Sequence, residues 1–260
     1  MANVGKLELF TRVGFAARGA MYLLIGFLAL RSGRTEDGAG ALATLDSDPG
    51  RIALGLMAVG FAGYGLWRLS EAAVDTQGHG SEPKGLLLRA SGVVSGLVHL
   101  SLCLLAAKLS LSLGGEGGDS ARTGAAAALD LPGGRAAIAI AAAGLAVAGA
   151  FQLLRAVRAD FMKHLDSSAG GRPWLVWLGR SGHAARGLIF LLMAWFLVRA
   201  AWFTSASEAG GMGAALDSLP PDARTATAIG LSLFGLFSLV EARHRRINDP
   251  RVLERLKALS

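Results

Sequence analysis

Cysteine is all but missing from this chain. Cys103 is the only one among 260 residues, so no intramolecular disulfide can form and no CxxC or zinc-ligand spacing exists. Charge is sparse as well: Asp, Glu, Lys and Arg make up 17% of the sequence, against about a quarter in soluble domains. Lysine is the scarcer cation, with 5 of the 26 basic residues. Also absent are a nucleophile elbow, a P-loop, a dinucleotide fingerprint, an HExxH motif and any carboxylate pair inside an apolar run. No catalytic residue, metal site or cofactor is assigned on these grounds. An enzyme is the weakest reading; its one foothold is Asp46, Asp130 and Asp217, which recur before proline and are more simply helix caps. Haem is set aside for a similar reason, since His99 has no second histidine at matching depth in another run.

What the chain has instead is apolar length. Hydrophobic residues reach 52% and the mean hydropathy is +0.46. The apolar residues gather into six runs, at about 13–32, 51–71, 88–112, 135–157, 176–202 and 224–243. Each approaches the roughly 20 residues that carry a helix across about 30 Å of hydrocarbon. None shows the period-two alternation of a barrel strand, and a spanning helix satisfies its own backbone. The expected fold is therefore an all-α integral membrane bundle of six transmembrane helices, one domain over 1–260. The first run carries Arg18 and is followed by RSGRTED, so it is expected to be a retained helix and not a signal peptide.

The net charge of +7 and a pI near 10.3 invite a nucleic-acid partner. No basic stripe with interleaved aromatics stands outside the runs, so that partner is rejected. The cations serve topology instead. The N-terminal side, the linkers after the second and fourth runs and the C-terminus hold 18 cations against 9 acids. The other linkers hold 8 against 10. By the positive-inside rule both termini are cytoplasmic, in a multi-pass protein of the bacterial inner membrane. The final NDPRVLERLKALS, residues 248–260, is expected to form a short amphipathic helix over 250–260 on the inner surface.

The runs also repeat. Arg12 to Leu30 (RVGFAARGAMYLLIGFLAL) and Arg180 to Val198 (RSGHAARGLIFLLMAWFLV) are close relatives, and Arg89 to Leu105 (RASGVVSGLVHLSLCLL) is a weaker copy. The linkers that follow each contain a short Ala/Leu stretch (ALATL, AAAAL, GAAL), then Asp and Pro, then Arg51, Arg135 or Arg224 opening the next run. Units of two helices result, at about 8–80, 86–166 and 174–250. Every copy enters the membrane in the same direction, which relates the copies by a pseudo-threefold axis along the membrane normal. One helix of each pair is expected nearer that axis. The chain resembles a bacterial membrane family catalogued as domain of unknown function number 1206, in which a two-helix unit occurs three times. The resemblance rests on Arg12, Gly14, Arg18, Gly19 and on Arg180, Gly182, Arg186, Gly187; the middle copy departs from it at Ser91 and Ser95. It implies fold and location and brings no activity.

Residues four apart on a helix share a face. One such row runs Gly14, Arg18, Tyr22, Gly26, with counterparts Ser91, Ser95, His99, Cys103 and Gly182, Arg186, Phe190, Ala194. Arg18 and Arg186 fall about 9 Å deeper than the arginine that opens each run, where an arginine in lipid costs about 2.5–3.5 kcal/mol. Either they snorkel to headgroups, or they pair internally, or they meet a ligand. Glu241, placed against Arg68 and Gln152 by counting from Arg51, Arg135 and Arg224, is the one acid at a comparable depth. Alanines four apart (Ala58, Ala62; Ala142, Ala146, Ala150) read as packing contacts.

Two main readings compete. In one, Arg18, Tyr22, Ser95, His99, Arg186, Phe190 and Glu241 line a site that binds or passes a small anion or amphiphile. In the other the protein is a structural scaffold, or binds a protein partner of unspecified kind, with the same row packed solid. The lipid bilayer is a partner in both.

Overall fold

The computed structural model describes residues 2–31, 33, 35–45, 47–75, 80–113, 120–165 and 172–244. Among them are nine α-helices and no β-strand: α1 (Ala2–Arg31), α2 (Gly38–Ala43), α3 (Asp48–Val74), α4 (Pro83–Ser110), α5 (Ser120–Leu129), α6 (Gly134–Arg158), α7 (Pro173–Phe203), α8 (Met212–Asp217) and α9 (Pro221–His244). Six are long and apolar enough to cross a membrane, namely Arg12–Arg31 within α1, Asp48–Ala73, Gly85–Ser110, and the whole of α6, α7 and α9. The first helix starts well before its apolar run, because the polar residues ahead of Arg12 continue the same backbone. The expected C-terminal amphipathic helix lies outside the described residues.

Proline opens four of the long helices in their first turn, where a missing N–H costs nothing. Capping is local and polar: the Asp37 carboxylate accepts from the Gly40 N–H at 2.8 Å, and the Ser47 hydroxyl from the Gly50 N–H at 3.2 Å. Of the recurring linker aspartates, Asp217 instead pairs with Arg224 at 3.3 Å, and Asp46 lies outside the described residues. The Ala/Leu stretches do fold, as α2, α5 and α8. Two of them tuck back into the bundle: Ala41, Leu42, Ala215 and Leu216 are wholly buried in the main core, beside Ile25, Leu54, Phe61, Ile189, Leu231 and Phe234. The half of the bundle nearest these linkers is thus filled by apolar side chains.

The long helices pack mostly between units. α3 lies along α4, α6 along α7 and α9 along α1; within units, α1 rests on α3 and α7 on α9. The order α4, α3, α1, α9, α7, α6 is an arc, since α4 and α6, the two helices of the middle unit, are not packed on each other. Burial is uneven along that arc: half of the apolar stretch is buried in α1, α3 and α9, against 28% in α7 and 22% in α4 and α6. The two helices of the first unit are equally buried, as are those of the second, so the expectation of one inner helix per pair is corrected for those units; only the third unit pairs a more buried helix, α9, with a less buried one, α7.

Glycine makes the inter-unit crossings. A Cβ added to Gly65 would lie 3.0 Å from the Gly96 carbonyl oxygen, one on Gly149 3.0 Å from that of Gly187, and one on Gly19 2.9 Å from that of Gly235. Lipid supplies no hydrophobic drive between helices, so close backbone approach through absent side chains takes its place. The alanine stripe foreseen on α6 does not do this, since Ala142 is buried but Ala150 is exposed. Counted from the glycine crossings, the position of Glu241 corresponds to Glu71 and Arg155, and that of Ser238 to Arg68 and Gln152. The earlier register, which put Glu241 opposite Arg68 and Gln152, is off by one turn because Gly230 follows Arg224 by six positions, whereas Gly60 follows Arg51 and Gly144 follows Arg135 by nine.

Candidate functional site

Arg18 sits in the middle of the α1–α3–α9 packing, 6% exposed. Its Nη2 donates to Glu241 Oε2 at 2.6 Å, its Nη1 to the Tyr64 hydroxyl at 2.9 Å and its Nε to the Ser238 hydroxyl at 3.2 Å. The guanidinium also lies 4.4 Å from the Phe15 ring centroid and 5.0 Å from that of Phe234. Snorkelling does not describe this residue. A cation inside a span is tolerated when every face of it is answered, and here an anion, two hydroxyls and two π faces do so. Next to it, Arg68 donates to Glu71 one turn on along α3, a second and partly buried ion pair.

Arg186 occupies the same place in the third unit and is treated differently. Its guanidinium lies 4.7 Å from the ring centroid of Phe190, 4.9 Å from Phe234 and 5.6 Å from Tyr22. Its Nε is buried without a hydrogen-bond partner. Among the described residues no acid reaches it. The repeat explains why: α6 offers Gln152 where α9 offers Ser238, and Arg155 where α9 offers Glu241. Gln152 is itself engaged, with Oε1 2.6 Å from His183 Nδ1.

In the middle unit His99 is buried and its Nδ1 lies 2.7 Å from the Ser95 carbonyl oxygen. A carbonyl only accepts, so Nδ1 carries the proton, and in the neutral ring Nε2 is left as an acceptor. That Nε2 is buried and has no partner. The ring lies 4.4 Å from Tyr64 and 6.1 Å from Phe61, centroid to centroid. Six of the seven residues singled out from sequence thus converge on one layer: Arg18 and Glu241 as a closed pair, Tyr22, Phe190 and Arg186 as a cation among rings, and His99 beside Tyr64. Ser95 contributes its carbonyl, not the hydroxyl that its position suggested.

Sequence reasoning missed Tyr64, Ser238, Phe234 and the His183–Gln152 contact. Tyr64 is one of two tyrosines and stands a turn before Arg68; that was the only available signal. The arginines that open the repeats also have a role that their position did not reveal. Arg89 donates to the carbonyls of Ala72 and Ala73, at 2.8 and 3.1 Å, and Arg180 to that of Val157 at 3.1 Å. They close the unsatisfied carboxyl ends of α3 and α6, where a cation is favoured by the helix dipole. Among the described residues no group of His, Cys, Asp and Glu is placed to hold a metal ion.

Three segments of the chain, 13–75, 90–159 and 181–245, match the Domain of Unknown Function DUF1206. The chain is 30% identical over 254 residues to an uncharacterized protein, YxxB, of Bacillus subtilis (strain 168), an alignment that covers 93% of this chain and 92% of that one. No solved structure matches.

Proposed function

We propose, from the premise that the chain belongs to the DUF1206 family, that it is an inner-membrane module that binds a small anion or the anionic head of an amphiphile at Arg186. The observation that carries this reading is the contrast between two repeat-equivalent arginines. Arg18 has Glu241, Ser238 and Tyr64; Arg186 has only aromatic rings. The two ion pairs of the layer cancel, so Arg186 leaves it with one uncompensated positive charge. An anion there regains the charge-assisted hydrogen bonds that the fold withholds, each roughly twice as strong as a neutral one. The unpartnered Nε2 of His99 adds an acceptor for a ligand hydroxyl.

Binding is favoured over conduction by the apolar filling beneath α2 and α8. That same filling favours the scaffold as second reading. In both, the three units stand about a pseudo-threefold axis along the membrane normal, with both termini cytoplasmic, which the cation count and the recurring glycine crossings support. A reporter fused after Ser260 and found outside the cell would overturn the orientation.

The test uses the purified chain in neutral detergent, melted with increasing sn-glycerol 3-phosphate. A ligand at a hundred times its dissociation constant stabilises the folded state by about 2.7 kcal/mol. The wild type should gain stability in proportion and Arg186→Gln should not. Equal response, or none in either protein, leaves the scaffold standing.

A further inference from the structure

In the first unit Gly60 faces α1 so closely that a Cβ added there would lie 2.4 Å from that of Ala17; in the third, one on Gly230 would lie 2.5 Å from that of Ala185. The glycine at the same repeat position in the middle unit, Gly144, would meet nothing within 4 Å. Its would-be partner Val94, at the position of Ala17 and Ala185, is 63% exposed. Ser91, where the other units bury Gly14 and Gly182 against an aromatic residue, is exposed as well. The arc of helices is therefore open at one seam, between α4 and α6. The seam is flanked by α4, which carries Ser95 and His99, and by α6, which packs along α7, the helix that carries Arg186.

We propose that this seam holds an acyl chain of an anionic phospholipid, whose phosphate turns inward to Arg186. The proposal rests on the reading of Arg186 as an anion site and goes further, to the class of ligand and its route. Three features point to a lipid. The seam opens laterally and is lined by apolar or small residues, Val94 and Gly144 foremost. The Nε of Arg186, on the helix packed along α6, is buried without a hydrogen-bond partner. Access from the side of α2 and α8 is filled, so a ligand with an apolar tail enters from the bilayer.

Gly144→Phe places a ring in the seam, at a position where an added Cβ meets nothing within 4 Å. Two probes are used: phosphatidylglycerol doped into phosphatidylcholine nanodiscs and read as bound lipid by native mass spectrometry, and sn-glycerol 3-phosphate read by melting. Gly144→Phe is expected to lower phosphatidylglycerol retention about tenfold and leave the glycerol phosphate response unchanged. Arg186→Gln is expected to lower both about tenfold, the loss of one charge-assisted contact. If Arg186→Gln lowers both but Gly144→Phe neither, the anion site stands and the seam proposal fails. Equal loss of both probes in Gly144→Phe also overturns the acyl-chain placement. So does phosphatidylcholine retained as well as phosphatidylglycerol, or a dimer that Gly144→Phe dissociates, which would make the occupant a second copy of the chain.

Discussion

Glu241→Gln should cost more than Arg18→Met, although both break the same contact. The pair is 2.6 Å long and both residues are 6% exposed. Breaking a buried pair by removing one partner costs about 3–5 kcal/mol, most of it the charge left behind. The two residues left behind differ, however. In Arg18→Met the Glu241 carboxylate keeps a further interaction, whereas in Glu241→Gln the Arg18 guanidinium keeps a charge that it cannot lose. Arg18→Met should then cost about 1–3 kcal/mol, the penalty of an imperfectly satisfied polar group. Glu241→Gln should lie in the full range of about 3–5 kcal/mol. The double variant, which leaves neither charge, should be less destabilised than Glu241→Gln alone, a coupling of 1 kcal/mol or more by the usual scale for contacting residues (about 0.5–3). As an internal comparison, Ser238→Ala removes the 3.2 Å contact to Arg18 Nε together with the hydroxyl's own 2.9 Å bond to the Phe234 carbonyl, and should cost about 0.6 kcal/mol per contact, the mean for hydrogen bonds within membranes. The assay is reversible unfolding in mixed micelles, followed by tryptophan fluorescence. Additive effects, or Arg18→Met the costlier single change, would refute the picture of a closed and desolvated pair.

The glycines give opposite signs at equivalent-looking sites. Gly144→Ala should stabilise by about 0.5–1 kcal/mol through helix propensity, because nothing lies near the added methyl; Gly149→Ala should destabilise, because its Cβ would sit 3.0 Å from the Gly187 carbonyl oxygen. The same unfolding assay reads both, and like signs would refute the crossing geometry. Ser95→Arg restores the repeat pattern and should still be unfavourable: at an effective dielectric near 20, a further cation some 8 Å from Arg186 costs about 2 kcal/mol. Folded yield and melting temperature check it, and a neutral result would place the side chain outside the polar layer.

Six spanning helices, their approximate limits, the threefold repetition of a two-helix unit and the row that carries Arg18, Ser95 and Arg186 were all legible in the sequence. They were legible because each is a local property. A hydrocarbon-spanning helix satisfies its backbone within itself, so its length and apolarity declare it without reference to neighbours. The fates of Arg18 and Arg186 were not legible. Both stand in the same motif, and what separates them is the helix opposite: Ser238 and Glu241 on α9 in one case, Gln152 and Arg155 on α6 in the other. Those partners are 220 and 223 residues away from Arg18 in the chain, and their register is set by where backbones cross at glycine, not by counting from the arginines that open the helices. Nor did the sequence announce the open seam. Gly60, Gly144 and Gly230 look alike in the chain, and only packing decides that two are clasped while the third faces empty space. Between helices in lipid the side chains are as apolar as the solvent, so hydrophobicity cannot say which faces meet; steric fit and charge pairing decide it, and both exist only in the folded bundle.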